Sequence, residues 1–140
     1  MPANVELYGG LRTGMTKAEA NSVLAETERF LTSSCQMTIK KVFEKDRLVS
    51  VHLRNKWTLE KSDCYEPIFS SLVEKYGEPQ SREVTPAVGS IIPEGTAETW
   101  IVDDRVITLS RRGDGTPKKA IGLEYTAKVT MPKPERIPGL

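Results

Sequence analysis

The chain reads as an α+β protein, a two-layer sandwich in which an antiparallel sheet of four to six strands carries two helices packed on one face. Three observations predict this. The elements run helix, two strands, helix, then three or four strands; hairpins dominate the strand connections; and each helix has a single apolar stripe that needs a flat surface to cover.

The first helix is expected over about residues 16–31. Gly14 permits a turn, and Thr16 with Glu19 forms the T-x-x-E capping box in which each residue satisfies the other's backbone N–H. Beyond it Ala20, Val23, Leu24, Thr27, Phe30 and Leu31 recur at three-and-four spacing. The second helix is expected over about 66–76. Pro67 is tolerated in its first turn, Ile68, Phe69, Leu72, Val73 and Tyr76 form its stripe, and Gly77 with Pro79 stops it.

Residues 36–54 read as a hairpin turning near Glu44 to Asp46, with Met37, Ile39 and Phe43 alternating in one arm and Val49, Val51 and Leu53 in the other. Phe43 joins the Val49 face only if the loop holds an odd number of residues, so a three- or five-residue loop or a bulge is expected. That places Thr38, Lys40, Val42, Leu48, Ser50 and His52 on the reverse face. A short strand follows near 81–84. Residues 97–102 and 105–111 make a second hairpin around Asp103-Asp104, putting Trp100 opposite Ile107 and Glu98 opposite Leu109 on the core side, and Ile101 opposite Val106 on the reverse. Residues 119–127 complete the sheet with Ile121, Leu123 and Tyr125 inward. Val23, Leu24, Phe30, Leu72, Tyr76, Trp100 and Leu123 are the expected core.

At 140 residues the chain fits one domain over 1–129, followed by a proline-rich tail over 130–140 that should be extended or disordered. Lysine and arginine number 20 against 19 acids, a net charge of +1, which offers no field for nucleic acid. No apolar run approaches the roughly 20 residues that span a bilayer, so membrane insertion is not expected. The opening Met-Pro-Ala shows no export signal, and an export signal removed ahead of it remains compatible with this reading.

The chemistry-bearing residues are sparse. No paired carboxylates, nucleophile elbow or metal-spaced ligands occur, so neither a metal nor a cofactor is expected. His52 is the only histidine. Ser50 and His52 lie two apart on one strand, a weak hydrolase-like pairing without a carboxylate that the sequence places beside it. Arg112-Gly113-Asp114 is the tripeptide that integrins read, but with Gly115 and Pro117 after it the segment reads as a turn. Trp57 ahead of the second helix is a candidate partner anchor, since aromatic residues dominate interface hot spots. Val42, Leu48, Ile101 and Val106 place apolar side chains on a face the helices leave open, the pattern of a protein contact, unless the 85–96 loop or the tail folds over it. Cys35 and Cys64 read either as a disulfide or as two reduced thiols; each sits at the mouth of an element, and closing that loop would contribute roughly 3 kcal/mol.

Gly14-Met15-Thr16 leading into a capped helix, the helix end Tyr76-Gly77-Glu78-Pro79, and the hairpin with Trp100, Ile107 and Leu109 resemble the BamE/SmpA-like and β-lactamase-inhibitor-protein-like superfamily of small bacterial cell-envelope domains. The resemblance implies an exported, periplasmic or secreted scaffold or inhibitor that works through protein contacts without a cofactor. The cytoplasm is the alternative compartment. In that setting a Cys35–Cys64 disulfide is expected. The chain lacks a lipidation cysteine at its start, and the shared positions are structural, so no functional residue carries over. The function expected is thus a non-enzymatic binding module whose partner is another protein, with Val42, Leu48, His52, Trp57, Ile101 and Val106 as contacts and a homodimer through the open face as one form. A small enzyme using the Ser50 and His52 face and an immunity-type inhibitor of a secreted toxin are the alternatives.

Overall fold

The computed structural model describes residues 4–33, 35–55, 64–86, 95–113 and 119–128. The elements are α1 (Lys17–Val23), β1 (Glu28–Thr32), β2 (Cys35–Glu44), β3 (Arg47–Asn55), α2 (Tyr65–Tyr76), β4 (Ser81–Thr85), β5 (Gly95–Val102), β6 (Arg105–Gly113) and β7 (Lys119–Ala127). All seven strands form one antiparallel sheet in the order β1-β2-β3-β7-β6-β5-β4. A three-stranded and a four-stranded meander are therefore sewn together where β3 meets β7, and α2 is the crossover that carries the chain from the centre of the sheet to its far edge.

This corrects the expected sandwich of four to six strands under two packed helices. The sheet is larger, and its cover is not a layer of two helices. α1 has only seven residues, and much of the cover is the N-terminal segment. There Asn4 N–H donates to Thr13 O and Leu7 N–H to Leu11 O, each at 2.8 Å, closing a small hairpin that inserts the fully buried Leu7 and Leu11.

Tertiary pairing overrides helical spacing between 24 and 32. The capping box forms as expected, with Glu19 N–H donating to Thr16 Oγ1 at 3.2 Å and Thr16 N–H to Glu19 Oε1 at 3.3 Å; the Thr16 hydroxyl and N–H hold the Glu19 carboxyl below its usual range. The helix nevertheless ends at Val23, and the next residues become β1, pairing Arg29 with Met37 and Phe30 with Gln36. Of the expected core, Leu24, Leu72, Trp100 and Leu123 are buried and Tyr76 is partly so, whereas Val23 and Phe30 are exposed.

The hairpin of β2 and β3 resolves its parity with a bulge. The loop has two residues, Lys45 and Asp46, both at positive φ (48° and 59°), the left-handed pair that matches strand twist. Val42 pairs with Ser50 but Phe43 pairs with Leu48, so the register shifts by one residue. Leu48 is held there by the N-terminal segment: its N–H donates to Met15 O at 2.8 Å and its carbonyl accepts from Gly14 N–H at 2.9 Å. Leu48 accordingly turns into the core at 1% exposure and leaves the reverse face on which simple alternation had placed it.

The second hairpin follows its sequence reading, with Trp100 opposite Ile107, Glu98 opposite Leu109 and Ile101 opposite Val106. Trp100 Nε1–H donates to Gly77 O at 2.8 Å, and the Phe69 ring meets the Trp100 ring edge-on at 5.9 Å between centroids, which ties the middle and the C-terminal end of α2 to β5. Cys35 and Cys64 form a disulfide with a Cα–Cα distance of 5.1 Å, joining the start of β2 to the N-cap of α2. Trp57, residues 87–94, Asp114 and the 130–140 tail lie outside the described residues.

Candidate functional site

Strand alternation gives the sheet two unlike faces. On one, Met37, Val51, Leu53, Trp100, Ile107 and Leu109 have no accessible surface. That face also buries one acid, Glu98, at 1% exposure. The Tyr65 hydroxyl donates to its Oε1 at 2.5 Å, Arg82 Nε stands 3.6 Å from the same oxygen, and Oε2 has no hydrogen-bond partner among the described residues. Burial, and then the bond to Glu98, push the Tyr65 hydroxyl up to about 12. Arg111 caps the group, its guanidinium 4.2 Å from the Tyr65 ring centroid. The cluster holds α2 to the outer strands of the sheet.

The reverse face is left open by the described residues. One end of it forms a groove of ≈ 850 Å³ whose lining runs from Lys40 of β2 to Thr85 of β4. Six adjacent strands contribute to one concavity, so the sheet curves around it. Gly122 sits in its floor, where a Cβ would come 2.8 Å from Ser110 Oγ. Lys40 and Arg54 are exposed beside His52, Lys40 lying directly opposite it across the strand pair. No carboxylate lines the groove among the described residues.

The structure brings Ser50, His52 and Glu124 together. Ser50 Oγ is 3.1 Å from His52 Nε2, and Glu124, which pairs with His52 across β3 and β7, has Oε1 3.7 Å from the same nitrogen. A nucleophile, base and orienting acid need the serine on one ring nitrogen and the carboxylate on the other. Here both approach Nε2, and the Ser50 side chain is buried, so the trio is an interaction among sheet neighbours and lacks the geometry of a relay. The described residues hold no group of three His, Cys, Asp or Glu able to bind a metal.

Of the expected contact residues, Val42, His52, Ile101 and Val106 lie on the reverse face, with Ile101 exposed and the other three half-buried. Leu48 does not, for the reason given above. The expectation missed Phe30. Placed in β1 opposite Gln36, it projects from the reverse face at 58% exposure, the most exposed large apolar side chain among the described residues. Its four-and-three spacing from Val23 through Thr27 concealed it; within the run from Thr27 to Thr32 only Thr27, Phe30 and Thr32 favour a strand. Beside Ile101, the Gln80 side chain occupies the β5 edge like an added strand residue, its Nε2 donating to Ile101 O at 3.1 Å and its Oε1 accepting from Ile101 N–H at 2.9 Å.

No protein-family model, curated protein or solved structure matches the chain.

Proposed function

We propose that the protein is a non-enzymatic binding module of the bacterial cell envelope, of the scaffold or inhibitor type, and that its reverse sheet face engages another protein. The observation that carries this reading is that face itself: a curved sheet surface that no described element covers, with Phe30, Val42, Ile101 and Val106 set among polar side chains. The disulfide is compatible with a periplasmic or secreted setting, where such bonds persist. No helix among the described residues is long and apolar enough to cross a membrane. The likeness of Gly14-Met15-Thr16 and the Trp100 hairpin to the BamE/SmpA-like superfamily points the same way.

The test is retention of the native partner by purified variants. Ile101→Asp or Val106→Asp puts an unpaired charge into the contact without touching the core, and should weaken binding at least tenfold while circular dichroism stays unchanged. Loss of a dimer in the same variants would identify the partner as a second copy. Folded variants that keep the partner refute the face, and a turnover abolished by His52→Ala refutes the module reading itself.

A further inference from the structure

We propose that Arg105 and the hydroxyls of Tyr8, Tyr76 and Tyr125 form a binding site for a carboxylate, carried by a small organic acid or by the C-terminus of a peptide. The site lies at the rim of the layer that covers the sheet, away from the reverse face, and goes beyond the function proposed above.

Four segments meet there. Tyr8 comes from the N-terminal hairpin, Tyr76 is the last residue of α2, Arg105 opens β6 and Tyr125 lies in β7. The rings of Tyr8 and Tyr125 meet at a tilt of 38° with centroids 5.4 Å apart. Arg105 Nη2 donates to the Tyr76 hydroxyl at 2.7 Å, and its Nη1 donates to Leu7 O at 3.0 Å. Burial raises Tyr125, Tyr76 and Tyr8 raise it further and Arg105 lowers it, so its hydroxyl lies within electrostatic reach of all three.

Hydrogen-bond accounting is the first ground. The Tyr76 hydroxyl accepts from Arg105 and the Tyr8 hydroxyl accepts from Arg29 Nη1 at 3.0 Å, which leaves each with its own proton to donate. The Tyr125 hydroxyl makes no hydrogen bond among the described residues. Arg105 uses two of its five N–H donors. Donors collect at this rim, and no acceptor among the described residues answers them. Such a group selects a ligand with several acceptor lone pairs.

Charge is the second ground. Arg105 is half-buried and both of its acceptors are neutral. It forms no ion pair among the described residues, whereas Arg29 is paired with Glu26 at 3.1 Å. Glu6, Glu74, Glu78, Asp103 and Asp104 flank these segments in sequence, and all five are exposed. The exposed Lys75, its Nζ 5.3 Å from the Tyr76 ring centroid, adds to the positive field. A guanidinium partly withdrawn from water is poorly served by neutral acceptors alone. A carboxylate meets it with two parallel hydrogen bonds. One half-buried cation without a counter-charge balances one negative charge, which favours a carboxylate over a phosphate dianion.

Titration of acetate into the full chain, followed through the tyrosine ring signals in NMR, tests this. Acetate should shift the signals of Tyr8, Tyr76 and Tyr125 saturably, while acetamide, of the same shape without the charge, and sodium chloride at equal ionic strength should not. Tyr125→Phe keeps the ring and removes a hydroxyl that holds nothing in the fold, so the urea midpoint should stay unchanged while acetate binding weakens about tenfold, the worth of a hydrogen bond to a charged group. Arg105→Gln should abolish the binding. A blocked alanine tripeptide with a free C-terminal carboxylate, compared with its amide, separates the two sources. Binding about tenfold tighter than acetate assigns the site to a peptide C-terminus, and binding no tighter than acetate assigns it to a small acid. No saturable shift with acetate, an equal response to acetamide or chloride, or wild-type acetate binding by Tyr125→Phe would overturn the proposal. So would a lowered urea midpoint in Tyr125→Phe, because the hydroxyl would then have a structural partner.

Discussion

Trp100 and Ile101 are consecutive residues of β5, yet Trp100 has no accessible surface and Ile101 is 41% exposed. The same contrast separates Leu109 from Ser110 and Leu53 from Arg54. One face of the sheet is closed by the chain's own α2 and N-terminal hairpin, and the other is closed by nothing among the described residues. The difference shows where to look for function. Residues of the covered face report stability, and even its chemically conspicuous group, Tyr65 with Glu98, is explained by the packing of α2. Residues of the bare face contribute little to folding and are free to serve a partner.

The largest way to break the comparison is Trp100→Ala. It empties the centre of the covered face and removes the donor to Gly77, so it should cost about 3–5 kcal/mol in urea unfolding. A cost below about 1 kcal/mol would mean that the covered face is not the core.

Leu48→Ala sharpens the boundary between the faces. Read by alternation alone, Leu48 belongs to the bare face and its truncation should be nearly silent. Turned inward by the bulge, it should cost about 3 kcal/mol and leave partner binding unchanged.

A smaller effect is expected at Tyr65. Removing the hydroxyl in Tyr65→Phe strips Glu98 of its hydrogen bond and should cost about 1–3 kcal/mol. The pH dependence has a definite sign. The Tyr65 hydroxyl is held up to about 12 from its ordinary 10.0, and burial also raises that of Tyr125, so the folded state keeps protons that the unfolded chain gives up. Their contribution is complete below about pH 10 and falls as pH rises toward 12. Spectrophotometric titration should show Tyr65→Phe removing one late-ionising tyrosine; a wild type whose tyrosines all ionise near 10 contradicts this.

How much of this was legible depends on how far each element reaches for its partners. The Trp100 hairpin could be read because strict alternation and the Asp103-Asp104 turn fix its register locally, and α2 because Gly77 and Pro79 end it locally. β1 could not, since Phe30 and Leu31 keep helical spacing with Val23 and Leu24 and only pairing with β2 makes them a strand. Leu48 was misplaced because its orientation depends on backbone bonds from Gly14 and Met15, more than thirty residues away. For the site, Ile101 and Val106 were legible from hairpin register. Glu124 beside His52, and the groove, were not, because both exist only once β3 pairs with β7.

The smallest expected effect tests the central claim most directly. If the reverse face is bare, Ile101→Thr with Val106→Thr keeps β-branched side chains in the strands and removes apolar atoms only from side chains that stay partly open to solvent. Equilibrium urea unfolding of this double variant should match the wild type within about 0.5 kcal/mol. If another part of the chain lies over the face, each substitution loses buried area worth about 1–2 kcal/mol, and a combined cost above about 2 kcal/mol would contradict the account.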